Sequence, residues 1–97
     1  MPNDPENIAR IAHPVINYTT HAKDRMLDRG ITASEVVQTL LFPLRTQSAD
    51  KGRRESQSLI LRNGKQMLLR VLTEGNIEML VITVMVTTKF EKYGVVR

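Results

Sequence analysis

Cysteine is absent from all 97 residues, which excludes a disulfide framework and any thiolate chemistry. No apolar run is long enough to span a bilayer. The longest, Met79 to Val86, is interrupted by Thr83 and falls well short of the roughly 20 residues a membrane helix needs. Residues 1–17 lack the basic start and unbroken apolar run of a signal peptide, so the expected location is the cytoplasm, away from any membrane. Two histidines without cysteine form a poor donor set, so neither a metal nor another cofactor is expected. Tryptophan is missing as well, and Tyr18, Tyr93, Phe42 and Phe90 are the whole aromatic complement.

What remains is an ordinary globular composition, 41% hydrophobic and 25% charged, in a chain with room for one core. The net charge of +4 is unevenly spread. Residues 1–50 carry five Lys/Arg against six Asp/Glu, whereas residues 51–97 carry nine against four. A basic half suits a polyanionic partner such as RNA, because Lys and Arg displace the counterions of phosphates. The same excess also serves solubility alone.

The pattern predicts α+β. Pro2, Pro5 and Pro14 punctuate an N-terminal extension over residues 1–17, in which Asp4-Pro5-Glu6 could start a short helix. A single domain is expected over 18–97. Its first helix runs from Thr19 or Thr20 to Arg29, with threonine as N-cap and Gly30 at the left-handed C-cap position. Thr32-Ala-Ser-Glu35 then spells a capping box. The helix it opens carries Val36, Val37, Leu40 and Leu41 and ends at Pro43. This αα-hairpin should pack on an antiparallel sheet of four strands: Leu44–Ala49, Gln57–Arg62, Gln66–Thr73 and Ile77–Thr87. Asn63–Gly64 supplies the type I′ hairpin turn. The last strand, apolar on both faces, should lie inside the sheet.

On the first helix, about 100° per residue puts His21, Arg25 and Arg29 on one line beside the apolar stripe begun by Ala22 and Met26. Stacked cations without an intervening carboxylate repel one another, which invites an anion. The plainer reading makes the two arginines C-terminal caps paired with Asp24 or Asp28. Arg70 sits inside the apolar run Met67–Leu72, where a guanidinium needs a partner or an open face. Glu78 is one candidate partner, and a phosphate is another. The loop with Lys51, Arg53 and Arg54 is a compact basic patch suited to phosphate contacts. Lys89, Lys92 and Tyr93 follow the last strand and offer point charge, a hydroxyl and a stacking ring.

The run His21-Ala-x-x-Arg25-Met-x-x-Arg29-Gly-Ile-Thr-x-x-Glu35-Val, with Lys89-x-x-Lys92-Tyr93 later, resembles a family of small bacterial domains of uncharacterised function. That family looks related to RelE-like toxins of the barnase–EndoU–colicin–RelE ribonuclease group. The resemblance covers roughly residues 18–93. It implies a metal-independent endoribonuclease that cleaves RNA by attack of a 2′-hydroxyl on the adjacent phosphate. It further implies a toxin whose cognate antitoxin or immunity protein covers the cationic groove. Under it, His21 is the candidate general base or acid, since an imidazole titrates nearest neutrality. Arg25, Arg29 and Lys89 would hold the scissile phosphate, and Tyr93 or Lys92 would serve the leaving side. Lys51, Arg53, Arg54, Arg70 and Thr83 would then bind RNA. So few aromatic platforms argue against extensive base readout on free RNA, although some RelE-like toxins act on messenger RNA already positioned in the ribosome.

Two other functions fit the same residues. The domain could bind RNA or the ribosome through its basic face without catalysis, or it could be a protein-interaction module whose charges confer solubility. The ribonuclease reading requires the His21–Arg25–Arg29 stripe to share a cleft with the last strand and its Lys–Tyr tail.

Overall fold

A computed structural model describes residues 15–90, and within them two helices cover one face of a five-stranded sheet. In chain order the elements are β1 (Val15–Tyr18), α1 (Thr20–Arg29), α2 (Ala33–Leu41), β2 (Arg45–Ser48), β3 (Arg54–Arg62), β4 (Lys65–Glu74) and β5 (Glu78–Thr87). The possible helix near Asp4 and the Lys92–Tyr93 tail lie outside the described residues. None of the described helices is long and apolar enough to cross a membrane.

The helices form where the local signals place them. The Thr19 hydroxyl accepts from the Ala22 N–H and caps α1, while Gly30, at φ 65°, closes it. Thr32 and Glu35 complete the reciprocal capping box of α2, each side chain accepting from the other's backbone N–H. Arg62, at the far end of β3, anchors this corner. Its guanidinium donates to the Glu35 carboxylate, at 2.6 Å for one oxygen, and to the Gly30 carbonyl at 2.7 Å.

The sheet departs from the four-stranded antiparallel expectation. Its order is β1-β5-β4-β3-β2. The four later strands make the expected antiparallel meander, and β1 adds a fifth strand parallel to β5, so the sheet is mixed. The reason is long-range: Val15–Tyr18 is too short to declare itself by alternation, and its partners, Glu78–Val81, are remote in sequence. The hairpin between β3 and β4 turns on Asn63 (φ 52°) and Gly64 (φ 76°), both in the left-handed region that a type I′ turn demands.

A bulge in β5 fixes how α1 meets the sheet. Leu72 faces Thr83 but Thr73 faces Val81, so Ile82 is the extra residue. Thr19 stitches the start of α1 to this irregularity. Its N–H donates to the Val81 carbonyl at 3.0 Å and its hydroxyl to the Ile82 carbonyl at 2.8 Å.

Alternation then sorts the side chains. Leu69, Val71, Val81 and Val84 face the helices and form the core with Ala22, Ile31 and Val36. Thr39 of α2 reaches Ser58 of β3 by a hydroxyl–hydroxyl hydrogen bond at 2.5 Å. The opposite face carries Glu55, Gln57, Arg70, Leu72, Thr83 and Met85. No helix among the described residues covers it. At one end of that face Phe90 folds onto Leu68 and Leu59, so the chain leaving β5 passes to the open side.

Candidate nucleic-acid interface

The open face holds a cleft of about 430 Å³, walled by β3, β4 and β5 and roofed by the loop after β2. Arg70 is its central charge. Arg70 and Gln57 are direct cross-strand partners, yet the guanidinium reaches diagonally to Glu55. Nε donates to one carboxylate oxygen at 2.9 Å and a terminal N–H to the other at 2.8 Å. Gln57 donates to the same carboxylate at 2.6 Å. The partner is therefore Glu55 on β3 rather than Glu78, which lies in register with Val15 on the far side of β5.

Glu55 is only 5% exposed. Burial pushes its carboxyl up, but the hydrogen bonds from Arg70 and Gln57, with the charges of Arg70 and Arg45, outweigh burial and hold it below the ordinary carboxylate value. It is thus an anion at neutral pH, and its role is to fix Arg70 in one rotamer. Gln57 is fully buried, and its side-chain oxygen has no hydrogen-bond partner. Arg45, in register with Gln57, adds a further cation on this face. Neither Glu55 nor Arg45 stood out in the sequence, because only the register of β2, β3 and β4 brings them to Arg70.

Lys51, Arg53 and Thr83 also line the cleft. Lys51 projects from a tight turn, Asp50–Gly52, and is itself held at φ 61°. The turn is closed by Ala49 N–H donating to the Arg53 carbonyl at 2.8 Å. Arg53 is steadied by Glu74 at 3.1 Å. The cleft therefore sets the guanidiniums of Arg70 and Arg53, the Lys51 ammonium and the Thr83 hydroxyl beside the carboxylates of Asp50 and Glu55, above an apolar floor of Leu72 and Met85. Such a set suits an anion attached to a less polar body, as a phosphate is to its nucleoside.

The remaining site residues fall elsewhere. His21, Arg25 and Arg29 ride on α1, which packs against the other face of the sheet through Ala22, and none of them lines the cleft. His21 and Arg29 are exposed; Arg25 is half-buried, with its Nε enclosed and without a hydrogen-bond partner. Arg54 points away from the cleft, into a notch at the end of the sheet. Lys89 is exposed just past β5, its N–H donating to the Thr87 hydroxyl at 3.0 Å. Lys92 and Tyr93 lie outside the described residues.

Fold and cleft together define a small α+β domain with a helix-covered face and an open, cation-lined face. Residues 18–86 match the family described as a domain of unknown function, DUF4258, and the chain belongs to that family. No curated protein and no solved structure is significantly similar to it.

Proposed function

We propose that this domain is a RelE-like, metal-independent endoribonuclease, a toxin acting in the cytoplasm and held in check by an antitoxin or immunity protein. The scissile phosphate would lie in the open-face cleft against Arg70. The observation that carries the reading is the Arg70–Glu55 pair: a buried carboxylate holds one guanidinium rigid beside Thr83 and below Lys51. A cation fixed before the substrate arrives stabilises charge developing on a phosphorane without reorganisation, and one such contact is typically worth about 10²–10³ in rate. The inhibitory partner would present carboxylates to the same face.

One observation favours a second reading, RNA or ribosome binding without cleavage. The His21–Arg25–Arg29 stripe, which the ribonuclease reading drawn from the sequence required in the same cleft, stands on the opposite side of the sheet. That requirement fails, and among the described residues the cleft has no imidazole to take the 2′-hydroxyl proton. The test expresses the parent, Thr83→Val, Lys51→Ala and His21→Ala proteins and follows growth, RNA integrity and RNA affinity, with cleavage assayed in chelator. The ribonuclease reading expects growth arrest and new RNA ends from the parent, weakened by the cleft variants. Intact RNA with salt-sensitive binding selects the second reading. A parent with neither cleavage nor affinity at low salt overturns both.

A further inference from the structure

The notch into which Arg54 points is polar, about 170 Å³, and lined by Ser48, Arg53, Arg54, Thr73, Gly75 and Asn76 among others. It lies at the end of the sheet where the β2–β3 turn meets the β4–β5 turn. Arg54 and Thr73 face each other across the strands and present to the helix side. Glu55 and Leu72, one residue further in, present to the open side. The notch and the cleft are thus offset by one step along β3 and β4. They share Ala49 and Arg53 as a common wall.

We infer that the notch is a second backbone subsite for a single-stranded nucleic acid that leaves the cleft and bends around the 49–53 loop. This deepens the RNA reading and rests on it. Arg53 is the pivot. Its Nε donates to Glu74 at 3.1 Å, a partly exposed pair that orients the guanidinium along the shared wall. Arg54 is the cation of the second subsite; it is exposed and has no ion pair among the described residues. Ser48 and Asn76 add a hydroxyl and an amide, which can hydrogen-bond a phosphate or ribose but do not read a base edge. The shape of the β4–β5 turn depends on Gly75. At φ 88° it lies where L side chains are strained, and a Cβ there would collide with the Glu78 carbonyl oxygen. A rigid polar notch next to a cationic cleft suits a strand that continues past the first phosphate.

The ligand class is therefore an oligonucleotide of at least a few residues rather than a mononucleotide. The experiment measures affinities for uridine 3′-monophosphate and for oligouridylates of increasing length, at several salt concentrations. It uses the parent, Arg54→Ala and Arg54→Glu proteins, each checked for an unchanged melting temperature. Parent affinity rises with length. Arg54→Ala removes about tenfold from the longer ligands and nothing from the mononucleotide, and lowers the salt slope by about 0.7, the value of one single-strand phosphate contact. Arg54→Glu removes more. If the parent binds long ligands and both Arg54 variants match it at every length, the second subsite falls while the RNA reading stands. If Arg54→Ala weakens mononucleotide and oligomer equally, the two cavities are not separate subsites. A parent without affinity for any ligand overturns subsite and RNA reading together.

Discussion

Arg70 and Glu55 meet diagonally across β4 and β3, two hydrogen bonds joining a half-buried guanidinium to a buried carboxylate. Removing one partner leaves an uncompensated, only partly hydrated charge. Glu55→Gln should therefore destabilise the domain by about 3 kcal/mol, measured by urea unfolding. Arg70→Met combined with Glu55→Gln should cost less than Glu55→Gln alone, because the double change leaves no orphan ion.

Acid should unfold the protein through two carboxylates. Hydrogen bonding to Arg62 outweighs burial at Glu35, and the bonds to Arg70 and Gln57 with nearby positive charge outweigh burial at Glu55, so both sit below the ordinary value of 4.5. A lowered folded-state value stabilises above the unfolded value and is lost as pH falls through the folded one. Stability should be level from neutrality down to about the ordinary carboxylate value of 4.5 and fall below it. In the Glu55→Gln protein that fall should be shallower. Unfolding followed by circular dichroism across pH gives both slopes.

The corner between the helices should answer to its cap. Thr32→Ala removes the hydroxyl that accepts from the Glu35 N–H and should cost about 1 kcal/mol. Thr32→Ser, which keeps that acceptor, should cost far less. Thermal melts of the two variants separate the capping bond from any loss of packing.

The two turns of the sheet should differ sharply in their tolerance of a methyl group. At Gly64 a Cβ meets open space, so Gly64→Ala carries only the left-handed strain of about 1–2 kcal/mol. At Gly75 the same strain is joined by the collision with the Glu78 carbonyl. Gly75→Ala should lower the melting temperature clearly more than Gly64→Ala.

These contrasts explain what the sequence reveals and what it hides. The capping box of Thr32 and Glu35, the C-cap at Gly30 and the Asn63–Gly64 turn act within a few residues, so their chemistry is legible without the fold. The helical wheel likewise turns Ala22 and Met26 of α1 toward the core. Pairing is another matter. The partner of Arg70 is fifteen residues away, and only strand register selects it. β1 is invisible for the same reason. The bulge at Ile82 alters facing along β5 where no glycine marks it. The wheel also cannot say which face of the sheet stays open. The basic loop and Arg70 were visible as candidates one by one; their convergence with Glu55 and Arg45, on the side away from His21, follows from topology.

Which face of the sheet meets RNA is read directly by amide chemical-shift mapping with a short oligouridylate. Shifts should concentrate at Lys51, Arg53, Glu55, Arg70 and Thr83, with α1 from His21 to Arg29 undisturbed. Shifts concentrated along α1, with the β3–β4–β5 open face unchanged, would contradict the placement of RNA in the cleft.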